Sequence, residues 1–516
     1  KEKAGDSVGY RREKERRDSM KRRNQKINVV FLLSAVIAGG IALWGIVGNT
    51  SFAGVSDKLM QGLKDHFSWL YLGVMLLFVL FALVLAFSPL GKVRLGDDGE
   101  KPEYSTISWF AMLFGAGMGI GMVFWGVSEP LSHYIAPAQG IEPFTEEAAR
   151  FSIRSCFMHW GLHPWACYAV MGLGLAYFQF RKKKPAMVSY LFQPMIGEKA
   201  VAGAAGKGID IFTTVITIVG VATSFGMGCL QISSGLEYLW GIPRNLITWT
   251  VIIVIIAVIY IYSAVKGVGT GIKRLSDINL ILFVLLLAAA FFIGPGRSYI
   301  GTLCQGLADC IWNFFPDSLR TSYNGSREWI NNWRVFYWAW WLSWAPFVGV
   351  FIARISKGRT IRQFVLGVMI IPTAVSTVWF SAFGSMGFHV AGNFTQEELA
   401  VMTGSPETAL FRIFAQYRGG IVLSVVAIFL LITFFVTSAN SATYVLAMLT
   451  SDGELDPPDR KKVFWGILMA VVAFALILSG GIEVIQTISI VIAFPYLFIL
   501  ILICVNLVIA LKGRKK

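Results

Sequence analysis

The chain has 516 residues, of which 55% are hydrophobic and 15% are charged, and its mean hydropathy is +0.63. Soluble globular proteins do not combine so much apolar sequence with so little charge, so that class is excluded. The net charge of +15 does not indicate a nucleic-acid partner, because the basic residues follow a membrane topology. The composition predicts a multi-pass membrane protein that binds no nucleic acid.

Twelve apolar segments are long enough to cross about 30 Å of hydrocarbon as helices. They begin near Ile27, Phe67, Ile107, Phe151, Ile209, Leu246, Ile278, Val335, Phe364, Gly420, Val463 and Val484. With an inside N-terminus, the two tails and the inner loops hold about 34 Lys and Arg, and the outer loops about 11. This asymmetry predicts cytoplasmic termini in the inner (cytoplasmic) cell membrane. The basic clusters on the inner face are predicted to contact anionic lipids.

The order of these segments predicts an all-α protein with two similar blocks. The predicted parts are a basic cytoplasmic arm over 1–26, two additional helices over 27–103, a first five-helix repeat over 104–296, an amphipathic interfacial helix on the outer face over 297–331, a second five-helix repeat over 332–511 and a short basic cytoplasmic tail over 512–516. Five is odd, so the two blocks enter the membrane from opposite sides. Inverted repeats of this kind bind substrate where the blocks meet.

Both blocks are predicted to open with an interrupted helix. The first contains "FGAGMGIGMVFWG", residues 114–126, and the second contains "WAPFVG", with Pro346 and Gly349. Glycine and proline both weaken a helix. Close packing through small residues is the alternative explanation. Weak points at corresponding positions of both blocks favour unwound backbone that lines a cavity.

Two sets of aromatic residues lie in "FYWAWWLSWAPFVG", residues 336–349, and in "HWGLHPWACY", residues 159–168. They are Trp340, Trp341 and Trp344 in the first stretch and Trp160, Trp165 and Tyr168 in the second. Facing each other they form an aromatic box, which attracts cations and best suits quaternary ammonium, since that group has no N–H to satisfy. Glu129 and Asp210 are placed near span ends, so the box has no carboxylate and favours a ligand with its own negative charge, such as a betaine. Structural packing is the alternative.

Thr437 and Ser438 in "FFVTSANS", residues 434–441, offer hydroxyl oxygens of the kind that bind sodium beside a broken helix. Hydrogen bonds to their own helix are the alternative. For His159 and His163 a structural role is favoured over a proton relay. The spans carry no nucleophile, metal set or acid pair at mid-depth, so the chain is predicted not to be an enzyme. A channel fits poorly with an enclosed box.

Together with "GAGMGIG" and "ARISKGRT", these stretches resemble the betaine/carnitine/choline transporter family over nearly the whole chain. The tryptophan-rich segment that runs into "ARISKGRT" is the most specific part. The resemblance implies a LeuT-like core of two inverted five-helix repeats, a homotrimer, and transport of quaternary-ammonium compounds. It also implies sodium as the coupling ion and no organic cofactor.

The resemblance assigns roles to individual residues. The central box would be Trp160, Trp165, Tyr168 and Trp341, with Trp340, Trp344 and Phe351 on the cytoplasmic path and Met118 and Gly121 also facing the substrate. One sodium site would use the carbonyls of Gly115, Met118 and Phe434 with the side chains of Thr437 and Ser438. A second would use Thr217 and Phe347, although Val221 stands where a hydroxyl is expected.

The glycine-rich segment also bears on the subfamily. Gly121 stands where proton-driven choline carriers of this family have an acidic residue, and sodium-independent carnitine exchangers lack Met118. The resemblance therefore implies a sodium-coupled importer of glycine betaine. Proton-coupled choline uptake and carnitine/betaine exchange by the same fold are the alternatives.

Overall fold

The structure, a computed structural model, describes residues 28–117, 119–266, 269–296 and 298–513. Within these ranges every long regular element is a helix. The helices are α1 Val29–Val47, α2 Asn49–Phe87, α3 Thr106–Gly117, α4 Ile120–Ile135, α5 Glu146–Trp160, α6 Leu162–Ala176, α7 Gln193–Ala202, α8 Ala204–Trp240, α9 Leu246–Lys266, α10 Gly269–Ile293, α11 Ser298–Trp312, α12 Phe314–Leu319, α13 Val335–Ile355, α14 Ile361–Val390, α15 Gln396–Gly404, α16 Ala409–Ala415, α17 Gly420–Leu449 and α18 Asp459–Lys512. The predicted all-α membrane class is confirmed. The residues of the basic arm, 1–26, and the last three residues of the predicted tail lie outside the described ranges.

Nine helical stretches in the described ranges are long and apolar enough to cross a membrane. The longest, α18, has 54 residues and contains Gly480 and Gly481 at φ 151° and 62°, where the helix is interrupted. Only glycine adopts such angles without strain. Two pairs of shorter helices, α3 with α4 and α5 with α6, follow each other across breaks of one or two residues. The count of twelve spans and the inverted repeat stay predictions.

The predicted interruption of the first glycine-rich helix is confirmed. Helix α3 ends at Gly117 and α4 begins at Ile120. Between them, Gly119 has φ −145° and ψ −146°, far from helical values. The chain therefore exposes backbone groups inside the protein at this point, since helix ends leave N–H and C=O groups without intrahelical partners.

The predicted interruption of the second block is wrong. Helix α13 continues through Pro346 and Gly349 with no break, and nearly all its residues are buried. Neighbouring helices hold such a turn in place although proline removes one backbone hydrogen bond. The break that the sequence did not reveal is at Gly161, between α5 and α6, with φ −99° and ψ −132°. A Cβ at Gly161 would lie 2.2 Å from the Phe157 carbonyl oxygen, so only glycine fits there.

Helix α13 lies at the centre of the fold, where it packs on α6, α8 and α18. Helix α4 packs on α5 and α14, which brings the broken glycine-rich segment next to the broken α5–α6 pair. The tryptophan-rich helix α13 itself contacts α3 and α6, one helix of each broken pair. The three elements that the sequence singled out meet in one region of the interior.

The segment predicted to form the interfacial helix contains α11 and α12, and Arg297 at its start lies outside the described residues. The Nε and Nη2 atoms of Arg150 donate to the Asp309 carboxylate at 2.9 and 2.7 Å, which ties α11 to α5. The hydrogen bond from Arg150 lowers the pKa of the Asp309 carboxyl. A second ion pair joins α5 to α12, because Arg154 Nε lies 2.9 Å from Asp317. The position of the segment with α11 and α12 at the outer membrane interface stays a prediction.

Candidate functional site

The rings predicted to form the aromatic box lie together. The Trp160 ring centroid is 4.9 Å from that of Trp341, with the ring planes 84° apart. The Trp341 ring is 5.9 Å from Tyr168, which is 5.5 Å from Trp165, again nearly perpendicular. We call Trp160, Trp165, Tyr168 and Trp341 the aromatic box. These three contacts are all edge-to-face, the geometry that aromatic pairs favour.

The break at Gly161 is what allows this arrangement. It places Trp160 at the last turn of α5, and Trp165 and Tyr168 in the first turns of α6. The break also leaves carbonyl groups of α5 without helical partners. One of them, on His159, accepts a hydrogen bond from Trp341 Nε1 at 2.8 Å. The second block is thus attached to the first at the box itself.

The rings predicted for the substrate path extend from the box along α13. Trp340 stacks on Trp341 at 5.1 Å, and its Nε1 donates to Ser224 Oγ. Trp344 Nε1 donates to the Gly220 carbonyl at 2.8 Å, so α13 is attached to α8. Phe351 is half-buried further along the helix. The hydrogen bonds of their indole N–H groups hold the Trp340 and Trp344 rings in one orientation. Phe351 has no polar group that could fix its ring in this way.

Tyr168 carries a polar group that the protein leaves without a partner. Its side chain is fully buried, and its hydroxyl makes no hydrogen bond. Burying a hydroxyl without a partner costs about 1–3 kcal/mol. A ligand in the box that offers an acceptor removes this cost.

Gly121 lies against the box. A Cβ added there would be 2.5 Å from Cη2 of Trp340 and 3.0 Å from Cη2 of Trp160. Both distances are shorter than a van der Waals contact, so a side chain at this position enters the space between the rings. Met118, the other predicted substrate contact of this segment, lies outside the described residues.

The prediction that Glu129 lies near the end of a span, which left no carboxylate next to the box, is wrong. Helix α4 continues through Pro130 to Ile135, so Glu129 lies inside it and is fully buried. Its Oε2 accepts a hydrogen bond from Trp160 Nε1 at 2.7 Å and another from the Tyr337 hydroxyl. The sequence carries one signal that Glu129 has a polar partner. In "EPLSH" a Glu and a His stand four residues apart, so they share one helix face.

Glu129 is also bonded to histidine. Its Oε1 lies 2.7 Å from Nδ1 of His159 and 3.5 Å from Nε2 of His133. His163, in the next helix, is hydrogen-bonded through Nε2 to Ser318 Oγ at 2.9 Å. Each of the two mid-depth histidines thus has one hydrogen-bonded ring nitrogen, while Nε2 of His159 and Nδ1 of His163 are buried without a partner, and the structural role stays a prediction.

The predicted sodium ligands of α17 lie beside the break in the first block. Ser438 Oγ is 3.6 Å from the place where a Cβ of Gly119 would be, so the hydroxyl faces the break. Gly115 lies in the last turn of α3, and Phe434 is buried one turn before Ser438. A hydroxyl of the second block thus lies beside the broken helix of the first. Such a combination of broken helix and oxygen groups suits sodium.

Thr437 and Asn279 form the polar edge of this region. The Thr437 hydroxyl donates to the Thr433 carbonyl at 3.0 Å, which is the alternative that the sequence left open. It accepts a hydrogen bond from Asn279 Nδ2 at 3.1 Å. Asn279 Oδ1 is buried and has no hydrogen-bond partner. The sequence analysis missed Asn279, which is a single polar residue in a predicted span.

The second predicted sodium site offers fewer free oxygens. The Thr217 hydroxyl donates to the Thr213 carbonyl at 2.6 Å, and Val221 is buried one turn later. Phe347 is buried on the facing helix α13, with its ring 5.4 Å from Trp344. The structure brings the two predicted residues onto adjacent helices but leaves Thr217 engaged with its own helix.

Comparison with known sequences identifies the family. The family described as BCCT, betaine/carnitine/choline family transporter, matches residues 29–516. The chain belongs to this family. It is therefore a membrane transporter and not an enzyme, and the resemblance drawn from its motifs is confirmed.

Three characterised or named relatives cover almost the whole chain. The glycine betaine transporter OpuD of Bacillus subtilis (strain 168) is 43% identical over 494 residues, which are 95% of either chain. The probable glycine betaine transporter of Desulfitobacterium hafniense (strain Y51) is 41% identical, over 95% of this chain and 98% of the relative. The ectoine/hydroxyectoine transporter of Virgibacillus pantothenticus is 40% identical, over 95% and 97%.

Proposed function

We propose that the protein imports glycine betaine, or a closely related quaternary-ammonium compound, by sodium symport with alternating access. The observation that carries the proposal is the aromatic box with its single unpartnered Tyr168 hydroxyl. The names of the relatives in Bacillus subtilis and Desulfitobacterium hafniense support a betaine substrate. Proton-coupled choline uptake and carnitine/betaine exchange are the alternatives.

The chemistry of the box matches a zwitterion. A trimethylammonium group lies against the faces of Trp160 and Trp341, where a desolvated cation–π contact stabilises it by about 2 kcal/mol or more. The carboxylate at the other end accepts the hydrogen bond that Tyr168 leaves unmade. Both ends of glycine betaine therefore meet a complementary group in the aromatic box.

Sodium fits the oxygen groups beside the break. Ser438, Thr437 and the Phe434 carbonyl come from α17, and Gly115 and Met118 are the partners from the first block. The unpartnered Oδ1 of Asn279 next to Thr437 is an oxygen whose desolvation a cation would offset. Because these groups come from both blocks, a bound sodium ion stabilises the arrangement in which the box is assembled. Sodium is transported here as a second substrate.

The architecture supports alternating access. Counting the two halves of α18 as two spans, and each broken pair of α3 with α4 and α5 with α6 as one, gives the twelve spans that the sequence predicts. Two inverted five-helix repeats place the box and the sodium site between the blocks, where relative movement opens each side in turn. Inner-membrane location, cytoplasmic termini, contacts with anionic lipids and a homotrimer belong to this proposal.

Uptake into proteoliposomes tests the function. Radiolabelled glycine betaine is expected to accumulate with an inward sodium gradient and to equilibrate only slowly without it. A proton gradient alone is expected to give no accumulation, and choline, carnitine and ectoine are expected to compete weakly. Equal accumulation with and without sodium contradicts the coupling. Preferred accumulation of choline or ectoine contradicts the substrate.

Gly121 provides a substitution test of the box geometry. Gly121→Asp is expected to lower glycine betaine uptake and to raise the choline-to-betaine ratio, because a carboxylate between the rings repels the betaine carboxylate and attracts a plain cation. Its side chain also displaces Trp340, given the 2.5 Å approach of a Cβ. The measurement is the ratio of initial uptake rates at equal transporter abundance.

Gly121→Ala is the matched steric control for this test. It is expected to lower uptake of both substrates in proportion, since it adds the Cβ without a charge. If Gly121→Asp leaves the choline-to-betaine ratio equal to that of Gly121→Ala, the charge at this position does not reach the substrate and the subfamily assignment is wrong.

A further inference from the structure

Glu129 is a buried carboxylate to which neither the sequence analysis nor the proposed function assigns a role. Its side chain has no exposed surface. Trp160 and Tyr337 donate to Oε2, while His159 Nδ1 lies 2.7 Å from Oε1 and His133 Nε2 lies 3.5 Å away. We call these five residues the Glu129 network. It lies directly behind one wall of the aromatic box.

The hydrogen bonds of the Glu129 network indicate an ionised carboxylate. Trp329 Nε1 approaches His133 Nδ1 at 3.3 Å, and an indole N–H only donates, so the proton of His133 is on Nε2 and points towards Glu129. Trp160, Tyr337 and His159 thus make three hydrogen bonds to a group that has about four acceptor positions when ionised, and His133 Nε2 faces it at 3.5 Å without a hydrogen bond of its own. Trp160 Nε1 at 2.7 Å has the short distance of a charge-assisted bond.

A buried cation, Arg334, lies next to Trp329, the residue that donates to His133 of the network. Arg334 is fully buried, and its guanidinium carbon is 5.2 Å from the centre of the Trp329 ring. Its Nη1 donates to the Asp317 carbonyl at 2.6 Å, whereas Nε and Nη2 make no hydrogen bond. Trp329, which donates to His133, therefore lies between this guanidinium and the Glu129 network.

A metal ion is the other occupant to consider, because Glu129, His133 and His159 present donor atoms within 4.8 Å of one another. The ligand atoms of one tetrahedral ion are separated by roughly 3.3 Å, given metal–ligand distances of about 2.0–2.1 Å. The 2.7 Å between Glu129 Oε1 and His159 Nδ1 is a hydrogen-bond distance instead.

We propose that Glu129 is a positioning residue that tunes the aromatic box for quaternary ammonium through Trp160. The carboxylate orients the indole by its bond to Nε1 and shifts electron density towards the ring. A more electron-rich face attracts a cation more strongly, and an uncharged group of the same shape gains nothing. The proposal rests on the proposed function, since it needs a quaternary-ammonium ligand in the box.

The test compares a cation with its uncharged isostere. In 3,3-dimethylbutanoate a carbon atom replaces the nitrogen of glycine betaine, so shape and carboxylate are kept and the positive charge is lost. Glu129→Gln retains an acceptor for Trp160 but removes the charge. It is expected to raise the apparent Km for glycine betaine about fivefold and to leave the inhibition constant of 3,3-dimethylbutanoate within about twofold of the parent.

Tyr337→Phe is the matched control, because it removes another donor to the same oxygen and keeps the charge and the Trp160 bond. Any change is expected to affect both constants by the same factor, so that the discrimination between the two ligands is kept. An equal weakening of both ligands by Glu129→Gln, or the same loss of discrimination in Tyr337→Phe, overturns the proposal in favour of a purely structural network. Loss of uptake on chelation that zinc restores overturns it in favour of a metal site.

A second variant covers the case in which Glu129→Gln does not fold. Trp160→Phe keeps a ring at the position but has no N–H to bond Glu129, so the same loss of discrimination between the two ligands is expected. Unchanged discrimination in folded Trp160→Phe overturns the proposal. If the parent protein itself neither transports nor binds glycine betaine, the proposed function fails, which is a different result from unchanged discrimination in an active parent.

Discussion

Trp341→Leu and Trp160→Leu are each expected to raise the apparent Km for glycine betaine at least about tenfold. Each removes one ring face from the aromatic box, and a desolvated cation–π contact of ~2 kcal/mol corresponds to more than a tenfold change in affinity. Leucine keeps an apolar side chain in the cavity, so the loss is mainly that of the ring. Initial uptake rates over a range of betaine concentrations measure it.

Trp465→Leu is the matched control for the box substitutions. Trp465 is fully buried, and its Nε1 donates to Thr450 Oγ1 at 2.9 Å, among residues that take no part in the box. Its loss is expected to reduce the amount of folded transporter and the maximal rate, with an unchanged Km. If the box variants behave in the same way as Trp465→Leu, the rings of the box are structural.

Ser438→Ala is expected to raise the sodium concentration for half-maximal uptake about tenfold. The substitution removes a hydroxyl that faces the break at Gly119, and a polar contact to a charged group contributes about 1.5 kcal/mol or more. Thr437→Ala is expected to act in the same direction. Thr217→Ala is expected to have a smaller effect, because its hydroxyl is already bonded within α8.

Thr433→Ala is the control for the sodium variants. Thr433 lies on α17 one turn before Thr437, and its hydroxyl donates to the carbonyls of Phe429 and Leu430. Its removal is expected to leave the sodium dependence unchanged. Equal sodium dependence of the parent, Ser438→Ala, Thr437→Ala and Thr217→Ala contradicts both sodium sites. A larger effect of Thr217→Ala than of Ser438→Ala reverses their assignment.

The sequence by itself determined that the protein is an all-α membrane protein. It also determined which aromatic residues and which glycine-rich segment come together in its interior. Apolar segments of spanning length require helices, since lipid offers no partner for backbone groups. The periodicity of a helix then decides which of the tryptophans around Trp341 share a face, and this is local geometry. The motifs also identified the family, because the tryptophan-rich stretch is specific enough without any knowledge of its contacts.

Only the tertiary structure decided where helices break and which polar groups are buried. Pro346 is tolerated because α13 is enclosed by other helices, whereas Gly161 breaks its helix because the chain there approaches the Phe157 carbonyl too closely for a Cβ. Glu129 is buried, and its hydrogen-bond partners include residues 30 and 208 positions away in the chain. Neighbours so distant in sequence leave no periodic signal, so propensity and spacing reveal neither the network nor the unpartnered oxygen of Asn279.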